Sequence, residues 1–169
     1  MSGQERQVHI SAEAQHLVLA TSDPQEVRDG VIEWYRSIGG RPFFDRLCDA
    51  FYGLVAEDDL LGPLFDDRWD VHARRLADHF HQMYGVGDLG QAWGSRLLRV
   101  HSTFLISHSH RRRWIDLFTE AGRRIDAPEP LFSELVGIML IAAGDLMAAS
   151  RGAALERGEK FDTQGRPLT

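Results

Sequence analysis

Gly39-Gly40-Arg41-Pro42-Phe43-Phe44-Asp45-Arg46-Leu47-Cys48-Asp49-Ala50-Phe51-Tyr52-Gly53-Leu54-Val55 is the stretch on which the fold turns. The glycine pair breaks whatever helix precedes it, since each glycine disfavours helix by about 1 kcal/mol relative to alanine. Pro42 then suits a first helical turn. Phe44, Leu47, Cys48, Phe51 and Val55 follow at i, i+3, i+4, i+7 and i+11, the apolar stripe of a single helix face, with Tyr52 at its flank.

Working outward, the same period recurs and the strict alternation of a half-buried strand hardly appears. Upstream, residues 1 to about 23 are polar with some helical character. Ser22-Asp23-Pro24 reads as a helix start, and the helix runs to Ile38. Downstream, Leu61-Gly62-Pro63-Leu64-Phe65 forms a corner that turns Phe65 inward. A third helix carries His72, Leu76, His79, Phe80 and Met83 on one face, and Gly85, Gly87 and Gly90 mark a loop after it. Arg96 to His101 reads as a short helix ended by Ser102-Thr103. Ser107 or Ser109 caps the next, whose face is Trp114, Leu117, Phe118, Ala121 and Ile125. Pro128 and Pro130 separate it from a last helix, Leu131 to about Ser150, apolar on most sides and therefore expected at the centre. Arg151 to Thr169 is expected to be a mobile polar tail. The fold class is all-α.

A length of 169 residues suits one domain with loose ends. The net charge of −6 opposes long-range attraction to nucleic acid and to anionic membranes, and Arg111-Arg112-Arg113 reads as a solvated helix start. The longest apolar stretch, Val136 to Ala143, is far short of a bilayer span, and the apolar patch His16 to Ala20 lacks the basic leader of a secretory signal. A cytoplasmic protein is expected. The single cysteine, Cys48, excludes an internal disulfide and a thiolate-rich metal site.

The eight histidines invite metal hypotheses. His79-x-His81 and His108-x-His110 do not suit a shared ion on a helix, because residues two apart point roughly 200° from one another. A di-iron carboxylate site needs Glu-x-x-His on two helices. Only Glu13-x-x-His16 has that form, in the least structured part of the chain. Nucleophile elbows, His-Glu-x-x-His pairs and phosphate-binding glycine loops are all missing from the sequence. What coheres is an apolar slot with few polar groups converging on it. His101 stands on one side, Tyr52 and His72 on the other, and Phe65 and Trp114 form walls, an arrangement suited to a large flat apolar ligand with a metal centre.

Ser37-Ile38-Gly39-Gly40-Arg41-Pro42-Phe43-Phe44, then Phe51-Tyr52-Gly53-Leu54-Val55-Ala56-Glu57-Asp58, resembles the opening of truncated haemoglobins. His101-Ser102-Thr103-Phe104-Leu105-Ile106-Ser107 with Trp114 resembles the second group of that family. The resemblance covers about residues 32 to 150. It implies a two-over-two helical sandwich around haem b, with residues 1–31 as an N-terminal extension and 151–169 as a tail. It further implies His101 as proximal iron ligand, Tyr52 and Trp114 as distal hydrogen-bond donors, and Phe65 against the porphyrin. His72 falls at the distal position, as a further donor or as a second iron ligand giving a six-coordinate haem. Phe51, Leu76, Phe80 and Phe104 are expected to line the cofactor, His79 to meet its edge or a propionate, and Arg99 with Arg96 to pair with propionates or remain exposed.

O2 bound to ferrous iron carries partial negative charge on its outer oxygen, so O–H, N–H and imidazole donors stabilise it and slow its release. The expected function is reversible binding of O2, NO or CO. The alternatives are a nitric oxide dioxygenase or peroxidase served by a separate reductase, a gas or redox sensor using the terminal segments, and a haem-free helical interaction module. A homodimer through an exposed helix face is compatible with the pattern.

Overall fold

The computed structural model describes residues 23–85, 100–161 and 167–168. The expected N-terminal helical character, Gly87 and Gly90, and Arg96 and Arg99 lie outside the described residues.

Helix α1 spans Pro24–Ser37 and starts as the sequence suggests, with Asp23 accepting the Gln25 N–H and proline in the first turn. Gly39 sits at φ 113° and Gly40 at φ 57°, a backbone path that favours glycine and reverses the chain into α2, Gly40–Ala56. The corner is a 3-10 turn at Gly62–Leu64. Helix α3 is Trp69–Phe80 and runs on into a π-helical turn, His81–Gly85. Val100 and His101 are helical, and the chain turns over Ser102 and Thr103. Helix α4 spans His108–Arg124. Ser107 is its cap: Ser107 Oγ accepts the His110 N–H while His110 Nδ1 accepts the Ser107 N–H.

Helices α2 and α3 pack as one pair and α4 and α5, the latter Leu131–Glu156, as the other, with α2 also against α4. Phe132 lies so close to Gly122 that a Cβ there would come within 2.0 Å of the ring, so the α4–α5 approach requires glycine.

The centre is α2 and not, as expected, the last helix. Phe43, Phe44, Leu47, Cys48, Phe51 and Val55 are all essentially inaccessible, whereas α5 leaves Ile138, Ile141 and Leu155 exposed. The apolar character of α5 comes from large side chains on all sides of the helix, and those on the face away from α4, Ile138 and Ile141 among them, are left uncovered. By length and composition alone α5 is apolar enough to cross a bilayer, at mean hydropathy 1.8; core helices meet the same criterion, and α5 packs on α4.

Two further expectations are corrected. The polar tail is ordered at its start: α5 continues six residues past Ser150, and Lys160–Phe161 pairs antiparallel with Pro167–Leu168. The arginine run is not simply a solvated helix start. Arg111 Nη2 donates to Leu140 O at 2.8 Å and Arg113 Nε to Asp58 Oδ2 at 2.5 Å, tying α4 to α5 and to the corner.

Candidate functional site

The period-3.6 stripe of α2 turns Phe51 into the core and leaves its neighbour Tyr52 at the edge of that core, facing the corner. Phe51 meets Trp114 edge-on at 5.0 Å between ring centroids, and Tyr52 meets Phe65 at 5.6 Å and stacks near His72 at 5.7 Å. Phe65 in turn meets His72 at 5.2 Å. The structure thus joins Phe51, Tyr52, Phe65, His72 and Trp114 in one continuous aromatic wall drawn from α2, the corner, α3 and α4. Trp69, whose role the sequence did not suggest, closes it beside Phe65 and His72.

Tyr52 is 9% exposed. Burial raises its pKa far above the ordinary tyrosine value, so the hydroxyl keeps its proton. Among the described residues neither Tyr52 Oη nor Trp114 Nε1 has a hydrogen-bond partner. Neither atom is fully buried, so both donors are open to an incoming acceptor rather than orphaned in the core.

His72 is half-buried, and its Nε2 lies 2.7 Å from Asp66 Oδ1. Asp66 also accepts from Arg68 Nε at 3.0 Å and from Arg68 Nη2, bonds that hold its carboxyl far below the usual range. His79 is half-buried against Phe80, and burial lowers its pKa, favouring the neutral ring. Leu76 packs on the core from α3. Phe80 is wholly enclosed by Phe44, Phe118 and Tyr84, so its side chain belongs to the core more than to any surface slot.

His101 and Phe104 form a second group, with centroids 6.1 Å apart and both half-buried. Their segment is anchored to α5 by Ser150, which is fully buried. Its Oγ–H donates to Phe104 O at 2.6 Å, and the same Oγ accepts the Ile106 N–H at 2.8 Å. Arg157 Nη1 donates to Ser102 O at 2.6 Å. Sequence reading missed Ser150 because a serine in an apolar helix carries no local sign of a partner 44 residues away. It also missed Asp66 and Arg68, which follow the corner without periodicity.

The carboxylate of Asp58, 5% exposed, accepts the Leu60 and Leu61 N–H groups at 3.1 and 2.8 Å besides Arg113. Burial pushes its pKa up. The two backbone bonds and the guanidinium together outweigh that and leave it below the ordinary value. This clamp fixes the corner that carries Phe65.

The chemistry of the residues suits haem: Tyr52 and Trp114 are protonated donors without protein acceptors among the described residues, the wall offers aromatic surface for a porphyrin face, and His101 offers an imidazole in a separate group beside Phe104. Residues 33–146 match the bacterial-like globin family. Three solved structures are similar, each with a TM-score of 0.59 and each covering 68% of this chain. They are a haemoglobin from Chloroflexus aurantiacus (27% identical, 96% of that chain covered), a thermostable haemoglobin from Thermobifida fusca (26%, 95%) and the group II truncated haemoglobin from Bacillus anthracis (22%, 88%). At 22% the likeness to the last is one of fold. No curated protein sequence matches.

Proposed function

This chain belongs to the bacterial-like globin family, whose members hold haem and bind small gases, and from that premise we propose that it binds O2 reversibly at haem b with His101 as the iron ligand. Haem iron, when bound, supplies the coordination position for a diatomic gas. The remaining work falls to side chains. His101 ligates through a neutral ring nitrogen, and the Ser150 anchor of residues 104–106 limits how far its segment can move. Tyr52 and Trp114 each offer one O–H or N–H to a ligand carrying partial negative charge, and the aromatic rings packed on them hold both donors in place. The observation that carries the reading is that both donors border the same ring, Phe51, at 5.1 and 5.0 Å between centroids, and that neither has an acceptor among the described residues.

Absorption spectra of the ferric, ferrous and CO-bound protein test it. Wild type is expected to take up one haem, and His101→Ala to lose the Soret band or alter it strongly. Tyr52→Phe is expected to raise the O2 dissociation rate by on the order of tenfold or more, the worth of one hydrogen bond to a charged acceptor. An unchanged rate removes Tyr52 from the ligand cage.

A further inference from the structure

We propose that Asp66 is a positioning residue that keeps His72 from ligating the haem iron, leaving the second axial position open to gas; the inference rests on the haem-binding reading above. The argument begins with the 2.7 Å contact between His72 Nε2 and Asp66 Oδ1. An ionised carboxylate only accepts hydrogen bonds, so Nε2 must carry the proton. A neutral His72 then has its lone pair at Nδ1, beside the Cβ branch, and a protonated His72 has none. In either state Nε2 cannot bind a metal.

The carboxylate is itself held. Arg68 engages Oδ2 through both Nε and Nη2, and the Arg68 backbone N–H reaches Oδ1 at 3.3 Å. The imidazole is packed by Phe65, Tyr52 and Trp69, with centroids at 5.2, 5.7 and 6.2 Å, so the ring keeps one orientation. His72 lies beside Tyr52, the donor assigned to the gas ligand. Once Asp66 is removed, Nε2 is no longer obliged to keep its proton, and the ring is already in the distal wall.

The experiment compares wild type, Asp66→Ala and the double variant Asp66→Ala/His72→Leu, each reconstituted with haem and measured first for stoichiometric uptake. Asp66→Ala is expected to convert a substantial fraction of ferric and ferrous protein to the low-spin six-coordinate spectrum and to slow CO association about tenfold. The double variant is expected to restore the wild-type spectrum, which a general loosening of the fold would not do. A wild-type spectrum in Asp66→Ala overturns the proposal, as does a wild type already six-coordinate whose low-spin bands vanish in His72→Leu. Failure of wild type to take up haem overturns the proposed function, and this inference with it. Nitrogen-15 spectra of the haem-free protein give an independent readout: the Nε2–H tautomer of His72 is expected in wild type, and an Nδ1–H tautomer there overturns the assignment.

Discussion

A serine buried in an apolar helix survives only if its hydroxyl is fully used, and Ser150 uses both of its capacities on one short segment. Ser150→Ala leaves the Phe104 carbonyl and the Ile106 N–H without that partner. The expected cost is about 1–3 kcal/mol in urea unfolding, together with faster haem loss, because the anchored segment follows directly on His101. Asp58 makes a different prediction. Its carboxyl is depressed in the folded protein relative to the unfolded chain, so its contribution is present above the ordinary carboxyl range and is lost as pH falls through the folded value. Asp58→Asn is therefore expected to lower the urea midpoint at neutral pH and to approach wild type as the solution is acidified. A constant difference across pH 2–7 would show that charge is not what holds the corner. At this scale Tyr52, Phe65 and Trp114 could be read from the sequence because their positions follow helical spacing and a motif. The Asp66–His72 pair could not, since it crosses a bend.

Among the elements, the crossing of α4 and α5 depends on one missing side chain. A methyl group at Gly122 would overlap the Phe132 ring on three atoms, at 2.0, 2.1 and 2.6 Å, and both residues are buried. Gly122→Ala should improve helix propensity by about 1 kcal/mol yet destabilise the protein by about 1–3 kcal/mol net, because the ring or a whole helix must move. Gly122→Ala combined with Phe132→Leu tests the cause: recovery of part of the loss identifies overlap as the reason, as measured by chemical denaturation. The opposite face of α5, with Ile138 and Ile141, touches little, and hydropathy alone misrepresents its place. Helix boundaries were legible at α1 and α4, where Asp23 and Ser107 cap through their own side chains. At the end of α5 the stop is at Arg157, well past Ser150, because Gly152, which disfavours helix just beyond the earlier position, is carried inside the helix.

For the molecule as a whole, a cofactor that binds only the folded chain stabilises it by mass action. At free haem one hundred times its dissociation constant the gain is about 2.7 kcal/mol, which for a chain of this size raises Tm by roughly 5–11 °C. Scanning calorimetry with and without haem is expected to show that shift in wild type and to lose most of it in His101→Ala. An equal shift in both would indicate adsorption at another surface. Local signals determined the order of helices, their approximate limits and the residue types that suit haem, because caps, glycine breaks and a 3.6-residue period act between near neighbours in the chain. Only the tertiary structure decided that α2 is the hub, that Ser150 anchors the segment after His101, and that Asp66 takes the Nε2 of His72. The first two rest on contacts between distant parts of the chain, and the third on how the chain bends at the corner, so none leaves a periodic trace in the sequence.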